Sequence, residues 1–573
     1  MANDPRTLDQ AITEDTKNWT NEILGSGSPM GMLSFDTKSS FHASLAVVPY
    51  TDMDVAEWIA QNVGNRYTFV SSTKTGGDWY YWDGHLHVMD NVNTISDKLA
   101  KAYAKALTDV AVFMIQSIGN SSSLTSDDKD KYTKIVINEV MSYAKNIKGE
   151  VGLARIRNRL TRELAKPKEY FDNDTDYIVM SDGRVLMTDD LSIPPADPDP
   201  SRPVTKKLAV TLGGTDTRPG EWQALLNRLG LPEDDQRFLQ VAAGAALLGR
   251  GNAKNIVTLV GVSNTGKTTY AMTLFNLFGS YAGSLPPGAI VDKNGTNFDQ
   301  YKARGKRYVL LEEPYEKRTD DSYLKNLAGA GGLVNTQEKG KNGVEWKAQC
   351  VLHITANHVP KINTQDDAIV GRVNIVAFDK VKTPAQQEAE AKASGQLVKE
   401  KGEMSDHLLR DCGNEIFMWI LAGAQTYNET NTIPKSVGVN ARALDGVVSG
   451  SVVIRWLTDA VYVQEDGSAP LLHIVDQPDF AHTNMAPATR ELYGRFVNWC
   501  EDNNEKPIPS KKAWQDEINA FRKEPPTAKG LRPGGSVRLW GLRLPDAPAK
   551  PGANDSSGMV QIAPNRARFG QHL

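Results

Sequence analysis

Eight consecutive residues carry the clearest chemistry in this chain: Gly261-Val262-Ser263-Asn264-Thr265-Gly266-Lys267-Thr268. They fill the pattern Gly-x-x-x-x-Gly-Lys-Ser/Thr, in which each fixed position has a chemical duty. Gly261 and Gly266 let the backbone turn tightly and aim its N–H groups at phosphate oxygens. Lys267 would bridge the β- and γ-phosphates, and the Thr268 hydroxyl would bind Mg²⁺. A helix expected to follow offers its N-terminal dipole to the same anion. Asn264, Thr265 and Thr269 complete the expected binding set. The pattern points to a nucleoside triphosphate, with ATP and Mg²⁺ as cofactors. The bland alternative is an accidental glycine turn.

Three further features belong with such a loop. The apolar run Tyr308-Val309-Leu310-Leu311 ends in Glu312-Glu313, and acids at a strand end can hold Mg²⁺ and polarise an attacking water. Glu312 is assigned to the metal–water shell and Glu313 to general base, roles the two could exchange; elsewhere such a pair merely opens a solvated loop. A second apolar run, Val351–Thr355, leads into Ala356-Asn357-His358-Val359-Pro360. Asn357 could contact the γ-phosphate or the lytic water, or simply form an Asx turn before the proline. Fifteen positions later stands Arg372. A lone arginine is usually surface charge, but one donated across a subunit boundary would stabilise transition-state charge.

The elements that must position these residues follow from hydrophobic pattern. Asn255–Val260 is a short β-branched run before the glycine loop, and Thr268–Phe278 has helical spacing after it. With the runs at 308–311 and 351–355, this predicts an α/β nucleotide-binding core. Trp222–Leu248 reads as two helices, and Asp406–Tyr427 as another. Upstream, Trp79–Val88 reads as a hairpin turning at Asp83-Gly84, while Ile95–Ser117 and Lys129–Ile147 have helical spacing. Ser192–Pro203 holds five prolines in twelve residues and can be neither regular helix nor central strand.

At 573 residues the chain needs three or four domains at about 150 residues each. The expected division is a leader (1–45), an accessory domain of mixed α+β character (46–200), a helical collar (201–250), an α/β ATPase core (251–385), a helical segment (386–450), a winged-helix-like domain (451–545) and a disordered tail (546–573). Sixty-five Lys and Arg against 69 Asp and Glu give a net charge of −4, so any nucleic-acid surface must be a local patch. Three scattered cysteines exclude a disulfide scaffold or a cysteine zinc cluster. The polar start is no secretory signal, and no apolar run reaches about 18 residues. A cytoplasmic protein that avoids membranes is expected.

Other candidates are weaker. Asp52-Met53-Asp54 and Asp174-Thr175-Asp176 have the form of a metal-binding acid pair, yet Asp52 is expected to cap a helix at Val55–Asn62 and Asp174 to sit in a turn. His85 and His87 point the same way along a strand, where packing among aromatics is the expected role. Arg490–Arg543 holds 11 Lys and Arg against 7 Asp and Glu, a basic segment suited to DNA backbone or to protein docking.

The loop, the Glu-Glu strand end and the strand running into Asn357 resemble the superfamily 3 helicases. More narrowly, Asn357–Phe378 resembles the primase–helicases of phages, plasmids and large DNA viruses. Tyr67–Asp90 and Tyr170–Asp190 are similar to that family's accessory domain, and Leu492–Arg543 to its winged-helix region. The resemblance implies an AAA+-like ATPase, Asn357 as polar sensor and Arg372 as a finger from a neighbouring subunit. It also implies a hexameric ring moving 3′→5′ on single-stranded or forked DNA, a primase or polymerase partner, and the host cytoplasm if the protein is phage-encoded. One departure is plain: the family's Thr-Gly-Gly-Asp stretch is replaced by Leu327–Lys347 without its Asp and Arg. A hairpin remains, with Lys339 and Lys341 flanking Gly340 and a turn at Asn342-Gly343. In a ring pore those lysines would meet DNA phosphates; outside one they are a solvated turn. Only about 45 residues precede the accessory region, too few for a polymerase-type primase core. Two rivals stand beside the helicase: a P-loop NTPase acting as an origin-binding or loading switch, and a small-molecule kinase.

Overall fold

The computed structural model describes residues 4–25, 35–71, 76–195, 198–251, 253–262, 265–292, 296–315, 317–329, 333–337, 339, 343–357, 360, 367–378, 401–435 and 438–439, with short pieces (452–453, 456, 462–463, 489–502, 508–514 and 542–543) beyond. The chain is a multidomain mixed α/β protein that divides into two compact units. The first comprises Met1–Asp216, Asn276–Tyr281 and Gln337–Val344, and the second Thr217–Phe275, Ala282–Thr336 and Glu345–Leu573.

In the first unit, helices α1 (Leu8–Thr16), α2 (Trp19–Ile23), α3 (Lys38–Ala46) and α4 (Asp52–Val63) precede strands β1 (Tyr67–Ser71), β2 (Gly77–Trp82) and β3 (His87–Asp90). Then come α5 (Ile95–Asn120), α6 (Ser126–Val136), a π-helical turn at Ile137–Met141, α7 (Ser142–Ile147), α8 (Glu150–Glu163), β4 (Ala165–Lys166), β5 (Tyr177–Val179) and β6 (Val185–Met187). Its core is mainly helical: Leu99, Tyr103, Leu107, Val110 and Met114 of α5 are buried against Ile59, Val140, Ile156 and Leu160. Ile12, Trp19, Ile23, Phe35 and Phe41 join the same cluster, so residues set apart in sequence as a leader are part of this core. The four-stranded sheet has the order β3-β2-β1-β4. The expected hairpin forms, with Trp82 opposite His87. The helix expected over 129–147 is instead α6, the π-turn and α7.

The acid pairs and histidines of this unit have structural partners. Thr51, not Asp52, caps α4, accepting from the Asp54 N–H. The helix begins three residues earlier than its apolar pattern suggests, because a threonine hydroxyl three positions ahead meets the exposed N–H. Asp52 instead accepts from the Tyr143 hydroxyl at 2.7 Å and pairs with Arg155 at 3.0 Å. Asp174 does close an Asx turn, accepting from the Asp176 N–H at 2.9 Å. His87 is buried, and its Nε2 lies 3.0 Å from the carbonyl of Pro200, within the proline-rich segment. That segment lacks helix and strand in its described part, as five prolines require.

The second unit is built on a parallel sheet. Helices α9 (Glu221–Leu229) and α10 (Glu233–Leu248) lead into β7 (Ile256–Val260), α11 (Lys267–Phe278), β8 (Ala282–Leu285) and β9 (Tyr308–Glu312). There follow α12 (Asp321–Leu327), β10 (Leu333–Gln337), β11 (Gly343–Lys347), β12 (Val351–Ala356), α13 (Asp367–Val370), β13 (Val373–Ala377) and α14 (Lys401–Thr430). Five strands lie in the order β13-β7-β12-β9-β8, every pair parallel. The three expected strands are its central members. All six residues of β12 are buried, as a strand covered on both faces must be. Neither edge, β8 or β13, is among the expected strands, although β13, Val373-Asn-Ile-Val-Ala377, is itself a β-branched run. β10 and β11 pair as the expected lysine-flanked hairpin, held by the Trp346 indole N–H donating to Thr336 Oγ1 at 2.8 Å. Among the described residues no helix is long and apolar enough to cross a membrane. Most of 451–545, where the winged helix was expected, and the tail 546–573 lie outside the described residues.

Candidate active site

Parallel strands deliver their carboxyl ends to one edge of the sheet, where an open α/β sheet usually binds ligands. In register, Val260 of β7 stands beside Ala356 of β12, and Thr355 of β12 beside Glu312 of β9. The glycine turn, the acidic pair and Asn357 therefore leave the sheet side by side.

Between β7 and α11, Gly266 has φ +91°, and a Cβ there would come 2.3 Å from Leu229 Cδ2. A Cβ on Gly261 would lie 2.4 Å from the Phe378 carbonyl oxygen. Both fixed glycines are thus required by the backbone itself. The Thr265 hydroxyl donates to the Val262 carbonyl at 3.0 Å. Lys267 opens α11 with only 6% of its surface exposed. Its ammonium donates to the Gly261 carbonyl at 2.7 Å and to Asn357 Oδ1 at 2.9 Å, with the Val262 carbonyl at 3.4 Å. A buried ammonium needs such acceptors. Thr268 and Thr269 are half-buried in the first turn of α11, and the Thr269 carbonyl accepts from Thr273.

Glu313 sits one residue past β9 with φ +43°, a left-handed conformation costly for a side chain with a Cβ. Its N–H still donates to the Thr355 carbonyl at 2.8 Å, so the turn departs directly from the sheet. The carboxylate, 56% exposed, lies 4.0 Å from Lys267 Nζ and accepts from the Asn357 N–H at 3.3 Å. Glu312 is exposed at the strand end. Of the two acids, Glu313 therefore joins Lys267 and Asn357. Among the described residues no group of three or more His, Cys, Asp or Glu could hold a metal ion; an expected Mg²⁺ would draw on Thr268 and Glu312 as hard oxygen donors.

Arg372 is elsewhere. Its backbone carbonyl accepts from Ile256 N–H at 2.7 Å, at the start of β7, and Val373 is level with Ile256. It therefore stands at the amino end of the sheet, a strand length of about 16 Å from the glycine turn. Its guanidinium donates to the Ala368 carbonyl. Lys339 is exposed at the hairpin tip; Asn264 and Lys341 lie outside the described residues.

Sequence reasoning missed Thr355, whose carbonyl anchors the Glu313 turn, and Leu229 and Phe378, which close on the two glycines. Only strand register could have found the first. It also missed Lys435, whose ammonium donates to the Gly371 carbonyl at 2.8 Å, beside Arg372.

Residues 259–372 match the model of a family of unknown function, DUF5906; that span contains every candidate residue named above from Gly261 to Arg372. No curated protein matches the chain. Among solved structures, the A form apo structure of the NrS-1 C-terminal region is similar at 12% identity and a TM-score of 0.38, covering 81% of this chain and 85% of that one. The apo structure of the NrS-1 C-terminal region (305–718) gives 11% and 0.37, covering 81% and 86%. A further A form structure of that region gives 17% and 0.27, covering 44% and 65%.

Proposed function

We propose that this chain is an ATP-dependent DNA helicase of a phage-type replication system, working as a ring oligomer with each nucleotide hydrolysed between subunits. The observation that carries the reading is the meeting of Lys267, Asn357 and Glu313 behind a strand–turn–helix whose glycines cannot bear a Cβ. A glycine cradle, one buried ammonium and the oxygens of Thr268 and Glu312 fit a triphosphate with Mg²⁺. When bound, Mg²⁺ neutralises charge on the phosphate oxygens.

The chain's own residues do the rest. Lys267 exchanges its carbonyl and amide partners for phosphate oxygens. Glu313, held at the open strand end and reachable by solvent, takes the proton of the attacking water. Asn357 contacts both and couples phosphate occupancy to the base. Arg372, a strand length from its own glycine turn, supports donation to a neighbour's nucleotide. Lys339 at the hairpin tip supplies a DNA-phosphate contact. A hexamer, 3′→5′ movement and a primase or polymerase partner belong to the same reading.

ATP hydrolysis measured with and without single-stranded DNA tests it. DNA should stimulate the wild type, Lys267→Ala and Arg372→Ala should each be inactive, and mixing the two should restore activity. Hydrolysis indifferent to DNA, with Arg372→Ala unaffected, would remove the motor and leave a plain NTPase.

A further inference from the structure

The first unit carries a cationic face that the proposed motor site does not use. Helix α8 buries Leu153, Ile156 and Leu160 at i, i+3 and i+7. Its outer side presents Arg155, Arg159 and Arg162, at i, i+4 and i+7, as one exposed stripe. Arg155 is shared with Asp52 at 3.0 Å. Arg157, on another side of the helix, forks onto Asp97 at 2.9 and 2.8 Å. Arg159 and Arg162 form no ion pair among the described residues.

A short stretch past the helix in sequence, a lysine and aromatic rings come together. Lys166 Nζ lies 5.5 Å from the centre of the Tyr170 ring. Tyr170 is 5.0 Å from Phe171, and Phe171 is 4.5 Å from Tyr80. All three rings are only half-buried. From Arg155 to Tyr170, six Lys and Arg stand against Glu163 and Glu169, and with Asp52 and Asp97 neutralising two of the arginines the segment keeps a local excess of two positive charges. An arginine in the last turn of a helix complements the dipole. That explains Arg162, but not Arg159 one turn earlier; of the rings, Phe171 also packs on the buried His87 at 5.1 Å, while Tyr170 and Tyr80 flank it at the half-buried edge.

We propose that this surface binds single-stranded DNA, with Arg159, Arg162 and Lys166 on the phosphates and the Tyr170–Phe171–Tyr80 rings against the bases. Arginine stripes hold any polyanion, but half-exposed rings add affinity only where unpaired bases can stack on them. The site rests on the motor reading for the choice of DNA as polyanion, and it requires no hydrolysis.

Anisotropy of a fluorescein-labelled oligo-dT, titrated with the full chain without nucleotide at several salt concentrations, tests the surface. Replacing Arg159, Arg162 and Lys166 together by Ala should weaken binding about tenfold or more and flatten the salt slope by about two, since each single-strand phosphate contact contributes ~0.7. Arg159→Lys with Arg162→Lys should retain most of the affinity, and Tyr170→Leu should weaken it several-fold. Circular dichroism and Tm check that the variants are folded; if the triple variant is not, Arg159→Gln alone should still lower the slope by about 0.7. Unchanged affinity and slope in a folded variant overturn the proposal. So does a wild type that binds no oligo-dT, or a loss confined to binding of a polyglutamate peptide. If oligo-dT binding depends on these residues but DNA never stimulates hydrolysis, the motor reading fails and the surface stands. DNA-stimulated hydrolysis with an unaffected triple variant gives the reverse.

Discussion

Asp52 and Asp54 begin a helix of the first unit, whereas Glu312 and Glu313 end a strand of the second and its immediate turn. Each pair could hold a metal or activate water. In the first unit those carboxylates are taken up: Asp54 accepts from the Thr51 hydroxyl at 2.6 Å, and Asp52 from Tyr143 and Arg155. In the second, parallel register leaves the acids at the open end of the sheet, and a left-handed turn at Glu313 carries its carboxylate toward Lys267 and Asn357. An acid beside packed helices finds partners and becomes structural. An acid just past the carboxyl end of a parallel strand stays open to solvent and meets the groups that leave the neighbouring strands, here Lys267 and Asn357. The histidines show no such contrast: His87 in one unit and His353 in the other are both buried, each with one ring nitrogen at a backbone carbonyl.

Glu313→Gln should break this contrast most sharply. ATP hydrolysis should fall by about 100-fold while nucleotide affinity, followed with a fluorescent analogue, stays near that of the wild type. Loss of affinity as large as the loss of rate would make Glu313 a binding group instead of a base.

A smaller effect comes from His353, on the central strand and stacked on Tyr308 at 4.2 Å. Burial pushes its imidazole down to about 3, so it is neutral in the folded chain, whereas an unfolded histidine protonates near 6.5. The unfolded state takes up the extra proton first. Stability therefore falls as pH drops from about 6.5 toward 3, by ~2 kcal/mol at pH 5. His353→Phe keeps a ring against Tyr308 and should show a shallower acid decline of Tm; parallel curves for the two proteins would refute the assignment.

Asp52→Asn should do least. It should lower the unfolding free energy by ~1 kcal/mol, read from urea midpoints, and leave ATP hydrolysis intact. A hydrolysis defect there would erase the distinction between the two acid pairs.

How far the sequence reaches is visible in individual elements. β7, β9 and β12 were legible because strands covered on both faces must be continuous apolar runs. β8, Ala282-Gly-Ser-Leu285, has no such signature; it is a strand because β9 offers it an edge. α1 to α3 resembled a leader, since short helices reveal little until Trp19 and Phe41 are seen in the core. The start of α4 was misplaced because apolar spacing begins at Val55 while the cap lies at Thr51.

By itself the sequence determined the glycine turn, its lysine and the acids at a strand end, because these depend on residue type and near spacing. Only the tertiary structure decided that Glu313, not Glu312, meets Lys267 and Asn357, and that Arg372 stands at the sheet's other end. Lys267 and Asn357 are 90 positions apart and Glu313 and Asn357 are 44 apart. Strand order and parallel register bring them together, and both are set by long-range pairing that no local pattern encodes.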